Sequence, residues 1–519
     1  MRQLICQRKS IFLFDICRMK QILLFGAGKS ATWLIDYLLS NAAAGNYTLV
    51  VVDANLELAQ SKVKNSPYGT TASFDINDEK QRTSHISSSD IVISMLPPVL
   101  HILVAKDCLR FSKHLLTASY VDGEIKQLEQ EIGEKGLLFL CEMGLDPGID
   151  HMSAMRIIDG IRENGGRIIS FKSHCGGLVA PEDDDNPWHY KISWNPRNIV
   201  LAGKSGAVYK ENGEAIREEY TSLFNADRMV DIPDLGLLSW YPNRDSLGYA
   251  PLYGLNDANT FIRTTLRHPE FLYGWNNVIE LNLTDETPCY ETNGRSLAMV
   301  FKEHMDIQNF GHWLQDKMAK RFEETKDMLE NLTKLMEAEK EAEEEGEEIP
   351  GSFMSADDKG NLNEIELGEV KNKAAAFVAH KMHMANLTLK QLMFLGLDDE
   401  ETEVNKGLCS AADVLQFAME RKMSLGTKDK DMIVMLHEIG YEINGSKKET
   451  RSSLVVKGDD GVHTAMAKTV GLPLGIAARL ILEGKIKLRG LQIPIQKEIY
   501  EPVLDELESQ GIAFMEETR

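Results

Sequence analysis

The stretch QILLFGAGKSATWLIDYLLS, residues 21–40, decides how the N-terminal part of the chain folds. Gln21 to Phe25 is an apolar run closed by glycine, the mark of a short buried strand. Gly26, Ala27, Gly28, Lys29, Ser30 and Ala31 follow, then a helical run from Thr32 to Ser40. The first glycine permits a tight turn, the second lets backbone N–H groups approach a pyrophosphate, and the small Ala31 lets helix and strand pack closely. A second strand, Tyr47 to Val52, ends in Asp53, at the distance where a carboxylate accepts a ribose 2′-hydroxyl. These features together predict a parallel α/β sheet that binds a dinucleotide.

Further strand ends fall in order along the chain. Thr71 to Phe74 leads into Asp75 and Ile76, and Asp90 to Ser94 leads into Met95, Leu96, Pro97 and Pro98. His114 to Ala118 ends at Ser119 and Tyr120, and Gly136 to Leu140 leads into CEMGLDPGIDH, Cys141 to His151. The last of these gathers Asp146, Asp150, His151 and a Pro147-Gly148 turn at the carboxyl edge of the sheet, where open α/β folds bind ligands. Taken alone it reads equally well as a Pro-Gly turn before a capped helix starting near Ile149.

At 519 residues the chain is too long for one core, which predicts two or three domains. Net charge is −22 and no basic tract appears, so nucleic acid is not an expected partner. Cys6, Cys17, Cys108, Cys141, Cys175, Cys289 and Cys409 are scattered without metal-ligand spacing, which argues against zinc and against a disulfide framework and suits a reducing cytoplasm. No apolar run reaches the roughly 20 residues of a membrane helix. Asp15 and Arg18 interrupt the apolar start, so Met19 is the expected natural start and residues 1–18 a non-native extension.

From Arg167 the pattern changes to alternating strands, with arginines in SWYPNRDS (Ser239 to Ser246) and FIRTTLRHPEF (Phe261 to Phe271). An arginine fixed in a turn can grip a carboxylate through two parallel hydrogen bonds. Beyond Lys302 an apolar stripe, Leu314, Met318, Phe322, Leu329, Leu332 and Met336, predicts helix, followed by an acidic run, EAEKEAEEEGEE, and a loop to Gly360. Met432 to Ile443 and Thr450 to Lys457 alternate as strands around the turn signal Asn444-Gly445. HTAMAKTVGLPLGIAARLIL reads as a helix interrupted at Gly471 and Pro473. The expected division is 19–145 for the dinucleotide domain, 146–300 with 430–519 for a discontinuous second α/β domain, and 301–429 for a helical insert with its acidic linker near 337–360.

GLDPGIDH at Gly144 to His151, CGGL at Cys175 to Leu178, APE..DNP..YK.SW from Ala180 to Trp194, YPNRDS, TLR at Thr265 to Arg267 and TAMAKTVGLP near the end resemble the glutamate-forming saccharopine dehydrogenases. The resemblance implies a Rossmann domain, a substrate-binding and dimerising α/β domain and a small helical domain, working as a homodimer. It implies nicotinamide-dependent interconversion of L-saccharopine with L-glutamate and 2-aminoadipate 6-semialdehyde through an imine. Carried over by motif, substrate contacts fall on Ser119, Tyr120, Asp146, Arg244, Thr265, Leu266 and Arg267. Dinucleotide contacts fall on the Gly26 to Ala31 loop, Asp53, Asp75, Ile76, Met95, Leu96, Thr117, Ala118, Asp146 to Gly148 and Asn195.

The chemistry of the residues agrees. Saccharopine carries three carboxylates and a secondary amine, so its pocket needs cationic forks, for which Arg244 and Arg267 are candidates, and an acceptor near nitrogen, for which Asp146 is. Tyr120, Asp146 and Cys175 are the candidates for moving protons; Cys175 also suits a small buried role, and His151 a helix start. Asp53 would repel a 2′-phosphate and favours NAD, whereas the family favours NADP. A carboxynorspermidine-type imine reductase and a non-catalytic dinucleotide sensor are the alternatives.

Overall fold

The computed structural model describes residues 19–320 and 386–519, two strands at 352–356 and 362–366, and single helical positions between 323 and 384. The expected extension at 1–18, the stripe residues Phe322, Leu329, Leu332 and Met336, and nearly all of the acidic linker lie outside the described residues.

Ile22, Leu23 and Leu24 are fully buried, because the strand Lys20–Phe25 runs through the middle of a seven-stranded sheet covered on both faces. Tyr47–Val52 and Gly69–Ala72 lie on one side of it; Ile91–Ser94, His114–Thr117 and Leu138–Leu140 lie on the other. Every pairing is parallel. The strand order reverses between Lys20–Phe25 and Ile91–Ser94, which opens a crevice at their carboxyl ends.

One strand of this sheet comes from far downstream. Gly490–Gln492 pairs with Leu138–Leu140, so the expected assignment of 430–519 to the second domain is corrected there. The helix expected to break at Gly471 and Pro473 is instead continuous over Ala465–Leu482. A Cβ at Gly471 would meet Leu34 N at 2.9 Å and one at Gly475 would meet Tyr37 Cδ1 at 2.7 Å, so the helix lies directly on Thr32–Gly45. That close packing outweighs the roughly 3 kcal/mol cost of an internal proline. Among the described residues this is the one helix long and apolar enough to cross a membrane, and 72% of its apolar window is buried inside the protein.

The second sheet has nine strands, with Met229–Ile232, Gly236–Pro242, Thr260–Arg267, Arg167–Val179, Asp431–Ile443, Ser446–Lys457 and Met515–Thr518 side by side. Asn444 and Gly445, with φ of 51° and 77°, make the turn between its two long strands. Arg451 Nη2 donates to Asp231 O at 2.6 Å although several strands separate them in the sheet, so the sheet is strongly coiled around a small apolar core. Between these strands the chain builds a helical body on Trp188, Phe271, Trp275, Val300 and Leu415. The boundary expected at residue 300 cuts through that core.

Candidate active site

Phe25 ends the central strand and Gly26 turns the chain with φ of 99°; a Cβ there would meet Met95 O at 2.8 Å. Gly28 is different, since a Cβ on it would meet nothing within 4 Å. That open space leaves the loop's backbone within reach of a pyrophosphate. Asp53 closes the loop from below: one oxygen accepts from Ala27 N at 2.7 Å and the other from Asn55 N at 2.8 Å. Each oxygen keeps a lone pair for a ribose hydroxyl. The Lys62 ammonium donates to Gly28 O. Burial pushes it down to about 8, against the opposing pull of Asp53 and Asp36. These residues fit a dinucleotide.

Across the crevice, the segment after Leu138–Leu140 is folded under constraint. Glu142 has φ of 59°, unusual for a residue with a side chain. Gly148 has φ of 147°, and a Cβ there would sit 2.0 Å from Gly144 O, so only glycine fits. The Asp146-Pro147 peptide is cis. The helix Ile149–Glu163 starts immediately, and Asp150 accepts from Gly148 N at 2.6 Å.

This fold brings two carboxylates onto one guanidinium. Arg263 Nη2 donates to Asp146 at 2.6 Å and to Asp150 at 2.7 Å. Arg263 is 3% exposed and stands on Thr260–Arg267, which pairs in parallel with Arg167–Val179 so that Arg263 faces Ser173 and Thr265 faces Cys175. Its guanidinium lies 4.4 Å over the Tyr249 ring. Burial raises Asp146 to about 6, with Arg263 pulling against it. For Asp150 burial also acts upward, but His151, Arg263 and the Gly148 N–H together hold it below the ordinary carboxylate value.

Buried Glu142 accepts from Val121 N at 3.1 Å and from Tyr249 OH at 3.1 Å, and it meets His151 Nε2 at 2.8 Å. His151 Nδ1 meets the Tyr253 hydroxyl. His151 therefore belongs to a buried network behind the carboxylates rather than to a bare helix start.

The expected substrate residues divide. Tyr120 OH donates to Asp146 at 3.3 Å, and burial raises the phenol far above its usual value. Arg244, at φ of 52°, stacks 5.3 Å from the Tyr120 ring; its side chain is exposed and has no ion-pair partner among the described residues. Ser119 meets His101 Nε2 at 2.8 Å. Thr265 is half-buried beside Cys175, whose thiol burial pushes well up, against a role as thiolate base.

Leu266 points its side chain into the apolar core of the coiled sheet, leaving its backbone to serve. Its carbonyl accepts from Arg267 Nη1 at 2.7 Å, and Arg267 stacks near Tyr190 and Phe271 with Nε unpartnered. Asn195 caps the short helix Pro196–Val200, accepting from Arg197 N at 3.0 Å. Asp75 accepts from Asn77 N at 2.9 Å, and Ile76 O accepts from Arg82. Sequence reasoning passed over Arg263, Glu142 and His101; the one available signal was the alternation Arg263, Thr265, Arg267 on a single strand face.

Residues 22–140 match the saccharopine dehydrogenase NADP binding domain, and residues 144–512 match the saccharopine dehydrogenase C-terminal domain. The chain belongs to the saccharopine dehydrogenase family. Within that family it is 31% identical to the saccharopine dehydrogenase [NADP(+), L-glutamate-forming] of Saccharomyces cerevisiae, covering 96% of this chain and 99% of the yeast protein. It is 34% identical to the alpha-aminoadipic semialdehyde synthase of Arabidopsis thaliana over 90% of this chain, but 40% of the plant protein. The chain spans about half the length or less of such synthases, with 49% for the rat mitochondrial one. The solved apo structure of the yeast L-Glu-forming enzyme superposes with a TM-score of 0.75 at 28% identity, over 96% of this chain and 100% of that one. Saccharopine dehydrogenase architecture thus accounts for both sheets.

Proposed function

We propose that this chain interconverts L-saccharopine with L-glutamate and 2-aminoadipate 6-semialdehyde, using NAD in preference to NADP. The observation that carries the reading is the wall formed by Tyr120, Asp146 and Arg263 with exposed Arg244, which has no acidic partner among the described residues, stacked on Tyr120. Tyr120 and Asp146 follow the carboxyl ends of His114–Thr117 and Leu138–Leu140 in the first sheet, while Arg263 and Arg244 reach them from Thr260–Arg267 and the turn after Gly236–Pro242 of the second.

When bound, the nicotinamide supplies the acceptor or donor of a hydride. In the oxidative direction the substrate loses a hydride from the carbon beside its secondary amine and a proton from nitrogen. Water then cleaves the resulting imine to the aldehyde and L-glutamate. Asp146, raised to about 6, is suited to take that proton near neutrality, because it is ionised yet close to its own pKa. Arg263 steadies its charged form, and Tyr120 holds its orientation. Arg244 is placed to pair with a substrate carboxylate.

Asp53 supports the NAD preference. Its carboxylate is fixed by two backbone N–H groups beside the loop, where a 2′-phosphate would meet its charge. The names carried by the family model and the yeast relative point to NADP, so the NAD preference rests on Asp53 alone.

We further read the chain as a homodimer of a reducing cytoplasm. Its edge strands Met229–Ile232 and Met515–Thr518, with exposed Met229 and Met515, suit a second copy, and the described cysteines are free thiols. Mass-spectrometric detection of L-glutamate and the semialdehyde after incubation with saccharopine and NAD tests the reaction. Sedimentation at the monomer mass would contradict the dimer.

A further inference from the structure

His101 begins the helix His101–Arg110 and is 1% exposed, yet it stands at the edge of the crevice between two strand ends. Its ring is surrounded by hydroxyls. Ser94 Oγ lies 2.8 Å from Nδ1; Ser119 Oγ lies 2.8 Å and Thr117 Oγ1 3.3 Å from Nε2. Thr117 Oγ1 also accepts from Ser119 N at 3.1 Å, which ties the Ser119 backbone to the same cluster. Burial lowers His101 to about 4, against the opposing charge of Asp122, so the ring is neutral at physiological pH and carries one N–H and one lone pair.

Counting protons decides between the two tautomers. Among the described residues Ser94 Oγ has no hydrogen-bond partner other than His101. With the proton on Nδ1, the Ser94 hydroxyl proton has no acceptor. Ser119, the nearer at 2.8 Å, then takes the single lone pair on Nε2, so the buried Thr117 proton goes unmatched along with that of Ser94. With the proton on Nε2, Ser94 donates to Nδ1 and Nε2–H donates to Ser119 Oγ; the proton of half-buried Ser119 turns to the crevice, and the Thr117 proton is the one buried proton left without a close acceptor. The second arrangement leaves fewer buried polar groups unpaired.

We propose that His101 is a positioning residue for Ser119: as the Nε2–H tautomer it occupies a lone pair of Ser119 Oγ and leaves the hydroxyl proton of Ser119 free to donate to a substrate carboxylate. Ser119 is half-buried, so that proton can reach the crevice. The assignment rests on the proposed function for the identity of the carboxylate, and on geometry alone for the tautomer. Ser94 has no contact with substrate in this scheme; it fixes the ring from behind.

Two measurements on the intact protein test it. Long-range ¹H–¹⁵N correlation on histidine-labelled protein, with His101 assigned from the signal lost in His101→Gln, should give a protonated Nε2 and a bare Nδ1. A bare Nε2 would overturn the proposal, whatever the substrate.

Steady-state kinetics of His101→Phe, Ser119→Ala and the double variant should show KM for saccharopine raised roughly 10- to 100-fold, with kcat and the dissociation constant for the dinucleotide little changed. The double variant should be no worse than Ser119→Ala, because both act through one hydrogen bond. His101→Gln, which keeps an amide N–H in reach of Ser119, should recover part of the loss even if the phenylalanine variant folds poorly. Additive losses, or an equal loss of dinucleotide binding, would overturn it. Failure of wild type to consume saccharopine would contradict the proposed function instead, while the tautomer measurement still decides the role of His101.

Discussion

Arg263 Nη2 lies 2.6 Å from Asp146, closer than the tyrosine hydroxyl that meets the same oxygen at 3.3 Å. The same nitrogen reaches Asp150 at 2.7 Å, so one buried cation holds two carboxylates that would otherwise repel each other. Replacing Arg263 by leucine removes the cation and leaves both acids buried. Breaking such a pair costs about 3–5 kcal/mol, and denaturant unfolding should show a loss of that size together with loss of activity. A stability change within about 0.5 kcal/mol would mean that the bridge is not formed.

The pH dependence follows from the two acids in opposite senses. Asp146 has its folded value raised to about 6, so its contribution to stability is present below the ordinary carboxylate range and is lost as pH rises through about 6. Asp150 is depressed, so its contribution is present above that range and is lost as pH falls through its lowered value. For catalysis, Asp146 must be ionised to take a proton. In saccharopine oxidation kcat/KM should rise as pH rises through about 6, and Asp146→Asn should abolish that limb. An unchanged limb in the variant would assign it to another group.

Arg244 is exposed and stacked on Tyr120 without an acidic partner among the described residues. Its removal should leave folding intact. Arg244→Ala should raise KM for saccharopine roughly 10- to 100-fold with kcat within a few-fold, the signature of lost uniform binding. A fall in kcat with unchanged KM would place Arg244 in the transition state instead.

Gly148 admits no side chain, since a Cβ would approach Gly144 O to 2.0 Å at φ of 147°. Gly148→Ala should displace Asp146 and Asp150 together and destabilise the protein by at least about 3 kcal/mol. A variant with wild-type unfolding and full activity would contradict the tight geometry drawn for this turn.

What was legible in the chain was local. The glycine-rich turn and Asp53 lie in one strand-turn-helix-strand unit, and GLDPGIDH carries its own turn chemistry, so both stand out without knowledge of the pairing. Arg263 does not. Its role depends on the register that sets Thr260–Arg267 beside Arg167–Val179 and on a carboxylate 117 residues away. Glu142 looks like a surface residue in sequence and becomes buried only because the chain bends at it. Gly490–Gln492, three residues long, is too short for any periodicity to reveal. Pro473 was misread as a break because the small-residue face that fixes Ala465–Leu482 to Thr32–Gly45 is a tertiary effect.

The most direct test of the account is the initial rate of nicotinamide reduction with saccharopine, measured with NAD and with NADP on wild type and Asp53→Ala. The account predicts saccharopine-dependent reduction with a higher kcat/KM for NAD, and a shift toward NADP in the variant. Dinucleotide binding without any saccharopine-dependent reduction would contradict it.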